Sequence, residues 1–144
     1  MAQSQLTLIE CRPEALDGER LREIRAALDD DPAMRAKTDT SDGTVGADEA
    51  AGGGAFFRVY ADGAPVAWYV LTERRDSELC IALAFGRAQF DLVAHVLPLI
   101  ERQCATFGGL WIETKRRGLA KKLRAAGYRE VAQLRDGVQL RKAL

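Results

Sequence analysis

The stretch Gly109-Leu-Trp-Ile-Glu-Thr-Lys-Arg-Arg-Gly-Leu-Ala-Lys-Lys-Leu-Arg-Ala-Ala-Gly-Tyr128 decides how the rest of the chain is read. It predicts a buried strand from Leu110 to Thr114, a polar turn, and a helix whose Leu119, Ala120 and Leu123 share one face. Gly127 follows the last helical residue, where a left-handed C-cap belongs, and Tyr128 is placed to fold back as the apolar contact of a Schellman ending. Beyond it, Arg129 to Arg135 and Val138 to Ala143 alternate as strands, with Asp136-Gly137 suited to a type I′ hairpin. Phe107, Trp111, Leu119 and Leu123 are the core contacts expected of this region.

Moving back towards the N-terminus, Phe90, Val93, Leu97, Ile100, Cys104 and Phe107 mark an amphipathic helix that closes at Gly108-Gly109. Pro98 inside it predicts a kink or a late start. Before the helix come Ala55 to Ala61, the turn Asp62-Gly63, Pro65 to Glu73, a turn at residues 74–77, and Glu78 to Phe85, which together read as an antiparallel meander. The near-continuous apolar run of Glu78 to Phe85 suits a central strand covered on both faces. A helix between that strand and Leu110 to Thr114 makes the two strands parallel, joined by a right-handed crossover.

At the front, Gln5 to Cys11 predicts a strand ended by Pro13, and Leu21, Ile24 and Leu28 define a helix from Glu14 to Leu28. Residues 29–54 differ in kind. Seven acidic residues, Asp29, Asp30, Asp31, Asp39, Asp42, Asp48 and Glu49, stand against Arg35 and Lys37, and the segment ends in three glycines. With Met34 and Val45 as its only sizeable apolar residues, it is expected to stay a mobile acidic loop, or to order as an arm against a partner.

The fold class expected is α+β with a mixed sheet: a meander, a central parallel pair with a crossover helix, and a C-terminal hairpin, in one domain spanning residues 1–144. The 144 residues carry 21 basic and 21 acidic side chains and no apolar run of membrane-spanning length, and the start lacks a signal pattern. A cytoplasmic protein with no membrane partner is the expectation. Cys11, Cys80 and Cys104 are odd in number and far apart, which predicts buried free thiols. His95 has no Cys or His at ligand spacing, so no metal site is expected.

This order of elements resembles the GNAT (GCN5-related N-acetyltransferase) fold over essentially the whole chain. The segment from Thr114 to Tyr128, with Arg116-Arg117-Gly118-Leu119 after a strand and Gly127-Tyr128 later, is similar to small GNAT-like proteins that tailed bacteriophages encode near their virion genes. The resemblance implies two devices for acetyl transfer. One is a glycine-rich turn of the form Arg/Gln-x-x-Gly-x-Gly/Ala, which cradles the pyrophosphate of acetyl-CoA at a helix N-terminus. At that junction this chain has Gly86, Arg87 and Ala88, and then Phe90 and Asp91, whose carboxylate repels phosphate. The other is a general acid, usually a tyrosine four residues before the glycine of Gly-Tyr/Phe. Here that position is Leu123, which has no proton to give. Tyr128 is expected to pack with its hydroxyl at the surface. Glu73, Glu78 and Glu113 are the strand carboxylates available as a general base.

The charge is unevenly spread. From Lys115 to Leu144 ten basic residues face Glu130 and Asp136, a local net of +8. Arg116, Arg117, Lys121, Lys122 and Arg124 are the expected partner-binding surface, with an acidic protein as the favoured partner. Three functions stay open. The first is a GNAT-like domain without catalysis or cofactor, acting as a structural or assembly component such as a phage virion protein. The second is an acetyl-CoA-dependent N-acetyltransferase with a divergent cofactor loop using Gly86, Arg87 and Ala88. The third is a basic nucleic-acid-binding accessory domain, which the lack of interleaved aromatic residues disfavours.

Overall fold

The computed structural model describes residues 7–41 and 43–144. In chain order these form β1 (Ile9–Glu14), α1 (Gly18–Ala27), α2 (Pro32–Thr38), α3 (Ala47–Ala51), β2 (Ala55–Ala61), β3 (Ala64–Glu73), β4 (Leu79–Gly86), α4 (Leu92–Gln103), β5 (Gly109–Thr114), α5 (Arg117–Ala125), β6 (Arg129–Leu134) and β7 (Gly137–Ala143). The seven strands make one sheet in the order β1-β2-β3-β4-β5-β7-β6. Among the described residues only β4 and β5 pair in parallel, linked through α4 as the crossover requires. The mixed α+β architecture expected from the sequence is therefore the one observed.

Helices cover both faces. On one, Val96, Leu97 and Ile100 of α4 and Ala120 and Leu123 of α5 pack on Val59, Tyr69, Leu71, Leu110, Ile112 and Leu140. On the other, Ile24 and Leu28 join Ala47 and Ala51 over Phe56, Trp68 and Val70. Phe56, Trp68 and Phe85 stack across three adjacent strands at centroid spacings of 5.6 and 6.0 Å.

The end of α5 is a full Schellman motif. Gly127 has φ of +100°, Tyr128 N–H donates to Leu123 O at 3.0 Å, and Gly127 N–H donates to Arg124 O at 3.1 Å. Tyr128 is only 2% exposed, and its hydroxyl donates to Glu101 Oε2 at 2.8 Å rather than reaching the surface as expected. Burial, with the facing Glu101, pushes the Tyr128 phenol far above its ordinary pKa.

Several boundaries differ from the sequence expectation, each for a local reason. The described part of β1 begins at Ile9 and runs through Pro13 instead of ending there; Gln5 and Leu6 lie outside the described residues. Proline is tolerated because β1 is an edge strand. Glu14 stays in the strand, and α1 starts only at Gly18, where Asp17 accepts from Arg20 N–H as N-cap. Helix α4 stops at Gln103, a 3-10 turn spans Ala105–Phe107, and Pro98 occupies the exposed side of the helix. The last hairpin pairs Leu134 with Gly137, so its two turn residues are Arg135 and Asp136. Asp136 is not among the positive-φ residues, which excludes the type I′ turn. Gly137 opens β7, and glycine fits there because Thr114 O lies 2.5 Å from where a Cβ would stand.

The largest correction concerns residues 29–54. Far from a bare loop, the segment forms α2 and α3 packed on its own domain, with Ala51 fully buried. Small alanines, Ala47 and Ala51, are its buried contacts, with Met34 packed beside them. Its acids are spent locally: Asp31 caps α2 on Met34 N–H, and Asp29 accepts from Arg35 and from Ala47 N–H at the start of α3. Asp42 lies outside the described residues. Order within this one chain removes the expectation of an arm that needs a partner to fold.

Candidate functional site: the cleft between the splayed strands

The parallel pair is short. Leu79, Cys80 and Ile81 pair with Leu110, Trp111 and Ile112, and beyond Ile81 β4 has no partner on that side. The register of β3 with β4 slips here as well: Val70 faces Leu83 while Leu71 faces Ile81, which leaves Ala82 as an extra, bulged residue. The bulge bends β4 away from β5, and β5 continues against β7. For this reason β4 is half-buried rather than covered on both faces, with Ala84 exposed.

A cavity of about 270 Å³ fills the gap. Leu92, Val93 and Val96 of α4 line one side and Leu119 and Leu123 of α5 the other, with Arg116 at the rim. It lies where both parallel strands end and their helices begin, the usual ligand crevice of such sheets. A second cavity of about 250 Å³ adjoins it, sharing Thr38 and Ile81, and is bordered by Asp29, Arg35, Asp39, Cys80 and Glu113.

At the junction from β4 to α4 the helix start is capped by its own side chain. Asp91 is the N-cap of α4, and its Oδ1 accepts from Val93 N–H at 3.0 Å and Ala94 N–H at 3.3 Å. The carboxylate thus sits where an anionic ligand would sit. Lys122 of α5 approaches Asp91 Oδ2 at 3.3 Å and ties the two helices together beside the cavity. The Ala94 N–H bond, then Lys122, holds the Asp91 carboxyl below its ordinary pKa. Arg87 N–H is committed to Val66 O at 2.9 Å. Gly86 has a packing reason to be glycine: a Cβ there would lie 2.6 Å from Ala67 Cβ and 2.8 Å from Leu92 Cδ1. Of the three residues expected at this turn, Gly86 is thus fixed by packing and Arg87 by its backbone bond to β3.

Leu123, at the position of the expected acid, borders the cavity and is 1% exposed. Of the three carboxylates considered as bases, Glu113 is the one that borders either of these two cavities, and it accepts from Thr40 Oγ1 and Gln139 Nε2, both at 3.2 Å. Glu73 closes β3, and Glu78 precedes β4, both at the opposite end of the parallel pair. Glu78 accepts from Arg141 Nε at 2.8 Å and Trp111 Nε1 at 2.7 Å, which lowers its pKa to about 2. Trp111 points with it, away from Leu123, and carries the Arg74 guanidinium 3.5 Å from its ring centroid. Phe107 is 43% exposed, so the expected four-residue core reduces to Leu119 and Leu123.

All five basic residues singled out on and before α5 are exposed, but they are not equivalent. Lys122 pairs with Asp91 and Arg124 with Glu130. Arg116, Arg117 and Lys121 have no ion-pair partner among the described residues. His95 is exposed and meets the Phe90 ring edge-on. Cys104 is buried, whereas Cys11 and Cys80 are half-buried rather than fully buried as expected; all three are free. Among the described residues no acidic, Cys and His cluster suits a metal ion, and no helix is long and apolar enough to cross a membrane.

Sequence reasoning missed the second cavity, because it treated part of its wall, residues 38–41 and 45–47, as unstructured. The signal was present in Asp31-Pro32, an N-cap followed by proline in the first helical turn.

Solved structures match this architecture over nearly their full length. A GNAT family acetyltransferase from Elizabethkingia anophelis with acetyl-CoA bound aligns at TM-score 0.68 and 12% identity, covering 94% of this chain and 98% of that one. A Bacillus subtilis acetyltransferase in complex with CoA gives 0.65 and 16%, covering 95% and 99%. An N-acetyltransferase from Staphylococcus aureus Mu50 gives 0.63 and 12%, covering 94% and 97%. No protein-family model and no curated protein matches the sequence. The fold is that of the GNAT acetyltransferases; at these identities the likeness concerns the fold alone.

Proposed function

We propose that this GNAT-fold chain has lost acetyl transfer and works as a binding component of a larger assembly. The observation that carries the reading is the Asp91 carboxylate on the N–H groups of Val93 and Ala94. Pyrophosphate capture at that helix start requires free donors, and here the donors are filled by a fixed negative charge. Leu123 adds a second deficit, since a missing proton donor costs about 10² to 10⁴ in rate. Arg117 and Lys121, with the paired Lys122 and Arg124 beside them, give the chain a basic face suited to an acidic protein partner. The resemblance of Thr114 to Tyr128 to phage-encoded chains supports a virion, or its assembly pathway, as the setting.

Thermal denaturation with and without acetyl-CoA tests the loss of cofactor capture. A ligand present at a hundred times its dissociation constant adds about 2.7 kcal/mol of stability. The reading predicts no shift of the midpoint at millimolar acetyl-CoA, and a concentration-dependent rise contradicts it.

A further inference from the structure

The cavity between α4 and α5 has the build of a ligand pocket whatever becomes of acetyl transfer. Its walls are apolar, with Val59 and Ala67 from the sheet, Val96 and Ile100 from α4, and Leu119 and Leu123 from α5. Tyr69 also borders it, but its hydroxyl is already committed to Gln103 Oε1 at 2.8 Å. The interior therefore offers hydrocarbon contact and little hydrogen bonding. Polarity is concentrated at the rim. Arg116 lines the cavity there, exposed and without an ion-pair partner among the described residues. The nearby cation Lys122 is neutralised by Asp91. Helix α5 begins directly after Arg116 with no side chain capping it, which adds a weak positive potential on the same side.

We propose that this cavity binds a monoanionic amphiphile, a medium-chain carboxylate, with its tail between α4 and α5 and its head on Arg116. Size and sign both select this class. Pockets for drug-sized ligands run from roughly 300 to 1,000 Å³. At about 270 Å³ the cavity suits a single medium-length chain and not a nucleotide-bearing cofactor. A guanidinium receives a carboxylate through two parallel N–H bonds, so one arginine suffices for one charge. With Lys122 paired to Asp91, Arg116 is the one charged residue lining the cavity among the described residues, so a second head-group charge finds no free cation there. The inference does not depend on an assembly role and shares with the proposed function only the Asp91–Lys122 pair.

Octanoate, octanol and octylammonium are the probes, titrated into the full chain with calorimetric heat and Trp68 fluorescence as readouts, since Trp68 borders the cavity. The expected result is saturable one-to-one binding of octanoate, with the neutral and cationic analogues weaker by roughly tenfold or more. Arg116→Gln, at an exposed position, folds normally, weakens octanoate by a similar factor and leaves octanol unchanged. Equal affinities for octanoate and octanol, unaltered octanoate binding in Arg116→Gln, or no saturable octanoate binding each overturn the proposal. Coenzyme A in the same series keeps the two readings apart. If it binds alongside octanoate, the lost cofactor capture is overturned and the carboxylate site stands. If neither binds, the site is overturned and the lost capture stands.

Discussion

Lys122 Nζ lies 3.3 Å from Asp91 Oδ2, joining the start of α4 to the second turn of α5. The same carboxylate caps α4 through Val93 and Ala94, so one side chain both starts a helix and latches two helices beside the cavity. The latch should be visible by substitution. Asp91→Ala loses both functions, and Asp91→Asn keeps a capping oxygen while losing the ion pair. Chemical denaturation is expected to rank wild type above Asn above Ala. Lys122→Glu places like charges together and should destabilise more than Lys121→Glu, which has no such neighbour.

Leu123→Ala is expected to cost about 2 to 5 kcal/mol in urea denaturation, because the side chain is fully packed and its removal leaves a void. Leu123→Tyr places a hydroxyl at the position of the expected acid, and an acetyl-transfer assay should still show none, since the obstruction at Asp91 is untouched.

Glu78 makes acid stability depend on Arg141 and Trp111. Its folded pKa, about 2, is depressed relative to an unfolded glutamate at 4.5, so its contribution is fully present above the unfolded value. It is lost as pH falls from there through the folded one. In Glu78→Gln the stability curve should therefore fall less steeply between about pH 4.5 and 2 than in wild type. Parallel curves refute the pairing.

Asp29 holds α3 in place by accepting from Ala47 N–H and from Arg35. Asp29→Ala is expected to cost roughly 1.5 to 3 kcal/mol, the range for hydrogen bonds to charged groups. The loss should appear as faster amide exchange at residues 47–51 before the strands are affected. Uniform acceleration across the sheet would show that the segment is not a separate unit.

Most of the sheet was legible in the sequence because its signals are local. Gly127-Tyr128, Asp62-Gly63 and the spacing of Leu119 and Leu123 each fix a turn or a face without knowledge of distant residues. Asp62 and Gly63 indeed both take positive φ, as a type I′ turn demands. The side-chain role of Asp91 was only half legible. Its charge argued against phosphate from sequence, but its capping of α4 and its tie to Lys122 depend on how two helices meet. Trp111 was assigned to the wrong face because a short, near-continuously apolar strand does not declare which side it buries. In residues 29–54 composition misled: the acids satisfy helix starts rather than repel one another, and buried alanines carry the packing.

The central claim, that the phosphate seat of this GNAT fold is filled by its own Asp91, is tested most directly by calorimetric titration of the wild-type chain with acetyl-CoA to millimolar concentration. The account predicts heats of dilution only, with no saturation. A saturable one-to-one isotherm would contradict it.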